Sequence, residues 1–161
     1  MNSRRAALES LAILGTLAQI AIAAWGLGTL PDSIAVHFGP DGVGYGSKLS
    51  LLLLPACGAF TYLVSGFAAS SAQPRVNLPM KITITPENRA AVNALKREMV
   101  LVTKAALGVG FAAIEWQLVS SARGTLSPGF IPTIVGFSVL VLALTTAYTV
   151  AIAKAAKPRP E

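Results

Sequence analysis

The chain has 161 residues, 53% of them apolar and only 12% charged, with a mean hydropathy of +0.63. A soluble domain carries about 25% charged residues, so this composition excludes an ordinary water-soluble globule and makes lipid the solvent for much of the chain. The formal charge of +6 would suit nucleic acid only if Lys and Arg clustered beside interleaved aromatics. Here they sit between apolar runs, so a nucleic-acid partner is not expected and the charge speaks to membrane orientation.

Crossing a hydrocarbon core of about 30 Å takes about 20 helical residues. The stretches 10–30, 49–69 and 130–153 reach that length without a charge, and 99–121 is as apolar but carries Lys104 and Glu115. The expected fold is an all-α integral membrane domain spanning 1–161, with four transmembrane helices. A short structured extracytoplasmic loop, the hook, covers 31–48, and a cytoplasmic middle loop with strand and helix character covers 70–98. Ser3-Arg4-Arg5 and the small residues Ala21 and Ala23 invite comparison with a cleaved signal peptide, but the first apolar run exceeds the usual h-region of about 7–15 residues.

Orientation follows from the basic residues outside the spans. Arg4, Arg5, Arg75, Lys81, Arg89, Lys96, Arg97, Lys154, Lys157 and Arg159 fall on one side, and only Lys48 and Arg123 on the other. Both termini and the middle loop are therefore expected in the cytoplasm of a plasma-membrane protein, with 31–48 and 122–129 outside. Trp25 and Trp116 then lie toward the outer helix ends, where amphipathic rings settle.

Within the spans, Ala24 with Gly28 and Gly108 with Ala112 stand four residues apart, a spacing that lets helix backbones approach. They predict a compact bundle and equally serve a homo-oligomer or a protein partner. Pro55 and Pro132 are expected to kink their helices. The lone Cys57 lies in an apolar run, which rules out an intramolecular disulfide and a thiolate metal site. From Val76 to Ile84 apolar residues alternate with polar ones, as in a one-sided strand limited to an edge by Pro79. Thr85-Pro86-Glu87 is a helix-start signal, and the basic helix it opens is expected to lie against anionic headgroups.

The hook is the most informative segment. Ile34, Val36 and Phe38 alternate as a short strand, Gly39-Pro40-Asp41-Gly42 has turn chemistry, and Lys48 marks the water boundary. Candidate binding residues are Asp32, His37, Phe38, Asp41, Tyr45 and Lys48. Gly42-Val43-Gly44-Tyr45-Gly46 is not a potassium filter, since no pore helix precedes it and Gly42 replaces the leading Thr. It is neither a phosphate loop, because Lys48 is not adjacent to the last glycine, nor a calcium loop, because Asp41 lacks further spaced acids. His37 with Asp32 and Asp41 is weighed as a divalent-ion site, but the expectation is a structural His37 bonded to the loop backbone, with no metal and no cofactor.

From Leu30 to Lys48 the chain resembles the signature of a bacterial membrane family of unknown function found in the SdpI-type immunity proteins, with an LPxxIPxHF start and a Gly-aromatic-Gly-Ser-Lys end. Leu30, Pro31, Asp32, Ile34, His37, Phe38, Gly44, Tyr45, Gly46, Ser47 and Lys48 match; Ala35 replaces the second proline, and the turn is shorter. The resemblance implies kinship with longer, six-span proteins that protect their producer from a secreted toxic peptide and relay its binding to a regulator.

An ionisable residue inside a span is a functional candidate by default. Glu115 is expected to pair across helices or with the hook, with Gln19, His37, Lys48 and Arg123 as available neighbours. Lys104 is expected to snorkel to the cytoplasmic face. No HExxH motif, nucleophile beside a base or carboxylate cluster appears, so an enzyme is not expected. Three functions fit: an SdpI-like protein that senses or gives immunity to an extracytoplasmic peptide, an accessory subunit of a larger membrane complex, and a small transporter or channel.

Overall fold

A computed structural model describes residues 3–70 and 82–156. Its elements run in the order α1 (Ser3–Thr29), β1 (Ser33–Gly39), β2 (Gly42–Ser47), α2 (Leu53–Ser70), α3 (Arg89–Ser121) and α4 (Phe130–Ala156), with a 3-10 turn at Lys48–Leu52 leading into α2. Among the described residues, four helical stretches are long and apolar enough to cross a membrane. The expected architecture holds, and the hook folds as a complete two-stranded antiparallel hairpin.

The packing is the reverse of a soluble bundle. On α1 the buried residues are Ala12, Gly15, Gln19, Ala23 and Gly26, a narrow stripe repeating every three or four positions. The large side chains Leu11, Leu14, Leu17 and Ile20 point outward, and Phe67 on α2 is 85% exposed. Small or polar groups inside and large apolar groups outside suit helices whose solvent is hydrocarbon, because lipid supplies no hydrophobic drive and close backbone contact must hold the bundle.

That contact is made where α1 crosses α3. A Cβ at Gly15 would lie 2.4 Å from the carbonyl carbon of Gly108, and one at Gly108 would lie 3.0 Å from the Ala12 carbonyl oxygen. The small-residue stripe on α1 is therefore Ala12 and Gly15, about three and a half turns before the predicted Ala24 and Gly28. Ala24 is exposed, and nothing lies within 4 Å of a Cβ at Gly28. At one end of this crossing Trp25 and Trp116 stack at 5.8 Å between ring centroids; toward the other, Arg4 pairs with Glu98 at 2.5 Å. The two helices thus run in the same direction, with α2 returning between them in sequence.

Neither proline interrupts a helix. Pro132 sits in the first turn of α4, where its missing N–H needs no partner. Pro55 is the third residue of α2, just after the 3-10 turn gives way to α-helix, so the change of helix type absorbs the missing donor.

Of the alternating segment 76–84, residues 76–81 lie outside the described residues, and Ile82, Thr83 and Ile84 have no regular structure. The Thr85 start signal does operate. The Thr85 hydroxyl accepts the Asn88 N–H at 3.4 Å and the Asn88 side-chain oxygen accepts the Thr85 N–H at 2.9 Å, a reciprocal cap with Asn in the place of Glu or Gln. Asn88 also donates to the Ala156 carbonyl at 3.2 Å, tying the start of α3 to the end of α4 above a small core of Val92, Ile152 and Ala156.

Candidate recognition hook and buried polar line

The hairpin is built by its turn and its glycines. Pro40 and Asp41 form the two-residue tip between the paired Gly39 and Gly42, and Gly42 has φ +115°, a conformation that favours a residue without a Cβ. The alternate glycines of β2 make room for β1. A Cβ at Gly44 would lie 3.2 Å from the His37 Cβ, and one at Gly46 would lie 3.0 Å from the Val36 Cγ2. Between Ala35 and His37 the pairing shifts by one residue, so Val36 is a bulge, which bends the strand and re-aims its neighbours.

The base of the hairpin is clamped. Lys48 Nζ lies 2.9 Å from the Asp32 carboxylate and 3.5 Å from the Leu30 carbonyl, while its backbone N–H donates to the Asp32 carbonyl at 3.0 Å. Ile34 is buried with Ala23, Leu30, Leu51, Val119 and Ala122, and the Ala35 N–H donates to the Ala122 carbonyl at 2.9 Å. The hook is thereby seated on the end of α3. Phe38 meets Phe130 of α4 at 6.4 Å between centroids, and Tyr45 reaches toward Gly124, which has φ +98°.

The six hook candidates thus divide. Asp32 and Lys48 close the base, and Phe38 anchors the sheet to α4. His37, Asp41 and Tyr45 are exposed. His37 packs over Gly39 and Gly44 rather than being held by the expected backbone hydrogen bond. His37, Asp32 and Asp41 do not converge: among the described residues no group of three or more His, Cys, Asp or Glu is placed to hold a metal ion.

Below the hook a line of polar side chains descends through the bundle. Gln19 is fully buried. Its Nε2 donates to the carbonyls of Gly108 at 3.1 Å and Gly15 at 3.4 Å, and its amide fills the space that a Cβ at Gly58 would take. It pins α1, α2 and α3 at the crossing but does not reach the expected partner, Glu115. Glu115 is itself fully buried on α3. Both its carboxylate oxygens and the Gln19 Oε1 lack a hydrogen-bond partner among the described residues, so the pairing anticipated with Gln19, His37, Lys48 or Arg123 is not formed. Seven residues separate it from Gly108, two helical turns that return it to the same face.

Lys104 departs most from expectation. It does not snorkel: it is 3% exposed, pairs with Glu9 of α1 at 2.5 Å, and places its ammonium 4.3 Å from the centre of the Tyr62 ring on α2. Glu9 was invisible as a partner because it falls just before the apolar run, 95 residues from Lys104. An ion pair capped by an aromatic face satisfies a charge that hydrocarbon would otherwise penalise.

Comparison with known proteins bears on the hook. No curated protein and no solved structure matches the chain. A family model described as a domain of unknown function, DUF1648, matches residues 14–58. Over that stretch, which holds Gln19, the whole hairpin and the 3-10 turn into α2, the chain is similar to a family whose description carries no activity.

Proposed function

We propose that the protein is an SdpI-like membrane protein whose hairpin senses, or gives immunity to, a peptide at the outer face of the plasma membrane, with its termini and the segment 70–98 in the cytoplasm. The observation that carries this reading is the seating of the hook. A connection that only joined two spans would not need a clamped base, a bulged strand and an aromatic anchor. Rigid support with His37, Asp41 and Tyr45 left exposed suits recognition, since ordered backbone lowers the entropy lost on binding. Strand β2 makes no backbone hydrogen bond beyond its hairpin partner to another described element, apart from the neighbouring Lys48 clamp, so its far edge suits an extended peptide. The distribution of Lys and Arg supports the outward placement, and the stacked Trp25 and Trp116 suit a membrane interface at that end of the bundle.

The test is a protection assay in the native host, paired with purification of the tagged full chain in mild detergent and mass spectrometry of whatever elutes in fixed ratio. Protection against a secreted peptide, lost in His37→Ala and Tyr45→Ala variants that still reach the membrane, supports the proposal. Stoichiometric elution of an unrelated complex favours an accessory subunit instead. Ion or solute flux without protection favours a transporter or channel.

A further inference from the structure

We infer that Glu115 is a proton-binding site inside the membrane, its carboxyl carried as the neutral acid and sealed beneath the seat of the hook. This inference does not rest on what the hook recognises.

Glu115 is fully buried, and neither of its oxygens meets a hydrogen-bond donor among the described residues. An ionised carboxylate so placed would lose its hydration with nothing in return, and a group in that position takes up a proton instead. The seal is visible in both directions along α3. Toward the hook, Val119 follows Glu115 by one turn on the same face and is buried with Leu30, Ile34, Leu51 and Ala122. The apolar seat of the hairpin therefore stands between the carboxyl and that end of the bundle. In the other direction, two turns away, Gly108 packs against the Ala12 carbonyl of α1, and its own carbonyl accepts the Gln19 amide.

No neighbouring charge offsets the carboxyl. On α1 the charged residues Arg4, Arg5 and Glu9 all lie in the first two turns, α2 has none, and α4 has only Lys154 in its last turn. On α3 itself, Lys104 lies about 16 Å earlier along the axis and is bound to Glu9. At the hook end Lys48 is bound to Asp32, while His37, Asp41, Tyr45 and Arg123 are exposed. The other titratable side chains of α2 and α4 are also accounted for: Cys57 is exposed, Tyr62 lies under Lys104, and Tyr148 bonds with Glu98. A proton is thus the cation that fits. A hard metal ion takes about six oxygen ligands, and among the described residues no group of three His, Cys, Asp or Glu is placed to hold one.

The experiment is infrared absorption of the purified full chain in dodecyl maltoside, a detergent without a carbonyl group, titrated from neutral to alkaline pH. The expected result is a single carboxylic-acid C=O band at neutral pH, from one of the seven acidic side chains. It should be absent from Glu115→Gln and unchanged in Glu98→Gln, which removes a carboxylate already paired with Arg4. Glu115→Asp, which keeps a carboxyl at the site, should shift the band, and this identifies the group even where Glu115→Gln does not fold. Ile34→Ser, which opens the seat of the hook, should move the loss of the band to lower pH. A neutral-pH spectrum without a carboxylic band means an ionised Glu115 and overturns the proposal. A band that survives in folded Glu115→Gln, or that stays unshifted in Glu115→Asp, overturns it too. Loss of the band at the same pH in Ile34→Ser and the unaltered chain overturns the seal by the hook.

Discussion

Glu115 and Gln19 show what single residues contribute in the absence of water. The Glu115 carboxylate is buried with neither oxygen bonded among the described residues, so Glu115→Gln removes a potential charge from the bundle without breaking an ion pair. The substitution should leave the thermal midpoint in detergent unchanged or raise it; a loss above about 1 kcal/mol would reveal a partner. Gln19→Leu gives up one interhelical bond and also the orphan Oε1, so its effect should stay within about 1 kcal/mol, the ordinary range for such bonds in membranes. Gly15→Ala should be worse than either. The added Cβ has only 2.4 Å to the Gly108 carbonyl carbon, and forcing two backbones apart costs about 1–3 kcal/mol, readable as a lower thermal midpoint. Gln19, Lys104 and Glu115 stood out in the sequence as polar groups in apolar runs. Their partners did not, because Glu9 and Gly108 become neighbours of Lys104 and Gln19 only through the crossing of α1 and α3, which no local pattern encodes.

At the level of elements, the hook was legible because its chemistry is local. The Ile34, Val36 and Phe38 pattern and the Gly39-Pro40-Asp41-Gly42 turn give the first strand and its turn, but neither the second strand nor the bulge that breaks the alternation at Val36. What local reading missed is the reason for Gly44 and Gly46, which exist to admit His37 and Val36 of the opposite strand. Gly44→Leu should therefore displace His37 and speed amide exchange in β1 and β2 while leaving exchange in α1 and α3 unchanged, as read by hydrogen–deuterium exchange in detergent. Gly42→Val should act similarly by placing a β-branched residue at φ +115°. The start of α3 was equally local, since Thr85 announces its cap. Sequence places Pro55 and Pro132 inside apolar runs, whereas the structure places each in the first turn of its helix, where a proline is tolerated.

Taken whole, the molecule is a parallel pair, α1 and α3, crossing at glycines, with α2 held against it by Gln19 and Lys104 and α4 against α3 by rings such as Phe111 on Phe137. Four apolar runs could be counted from sequence, but which helices touch could not, because lipid-facing and bundle-facing sides are equally apolar and only small residues mark the seam. The sidedness proposed for this bundle, with the hook outside and the start of α3 inside, is the premise of the proposed function. The direct measurement uses a Cys57→Ala background with Asp41→Cys at the hairpin tip or Arg89→Cys at the start of α3, labelled in intact cells by a membrane-impermeant maleimide. Asp41→Cys is expected to be labelled in intact cells and Arg89→Cys only after permeabilisation. Labelling of Arg89→Cys in intact cells, with Asp41→Cys protected, would place the hook in the cytoplasm and contradict an outward-facing recognition element.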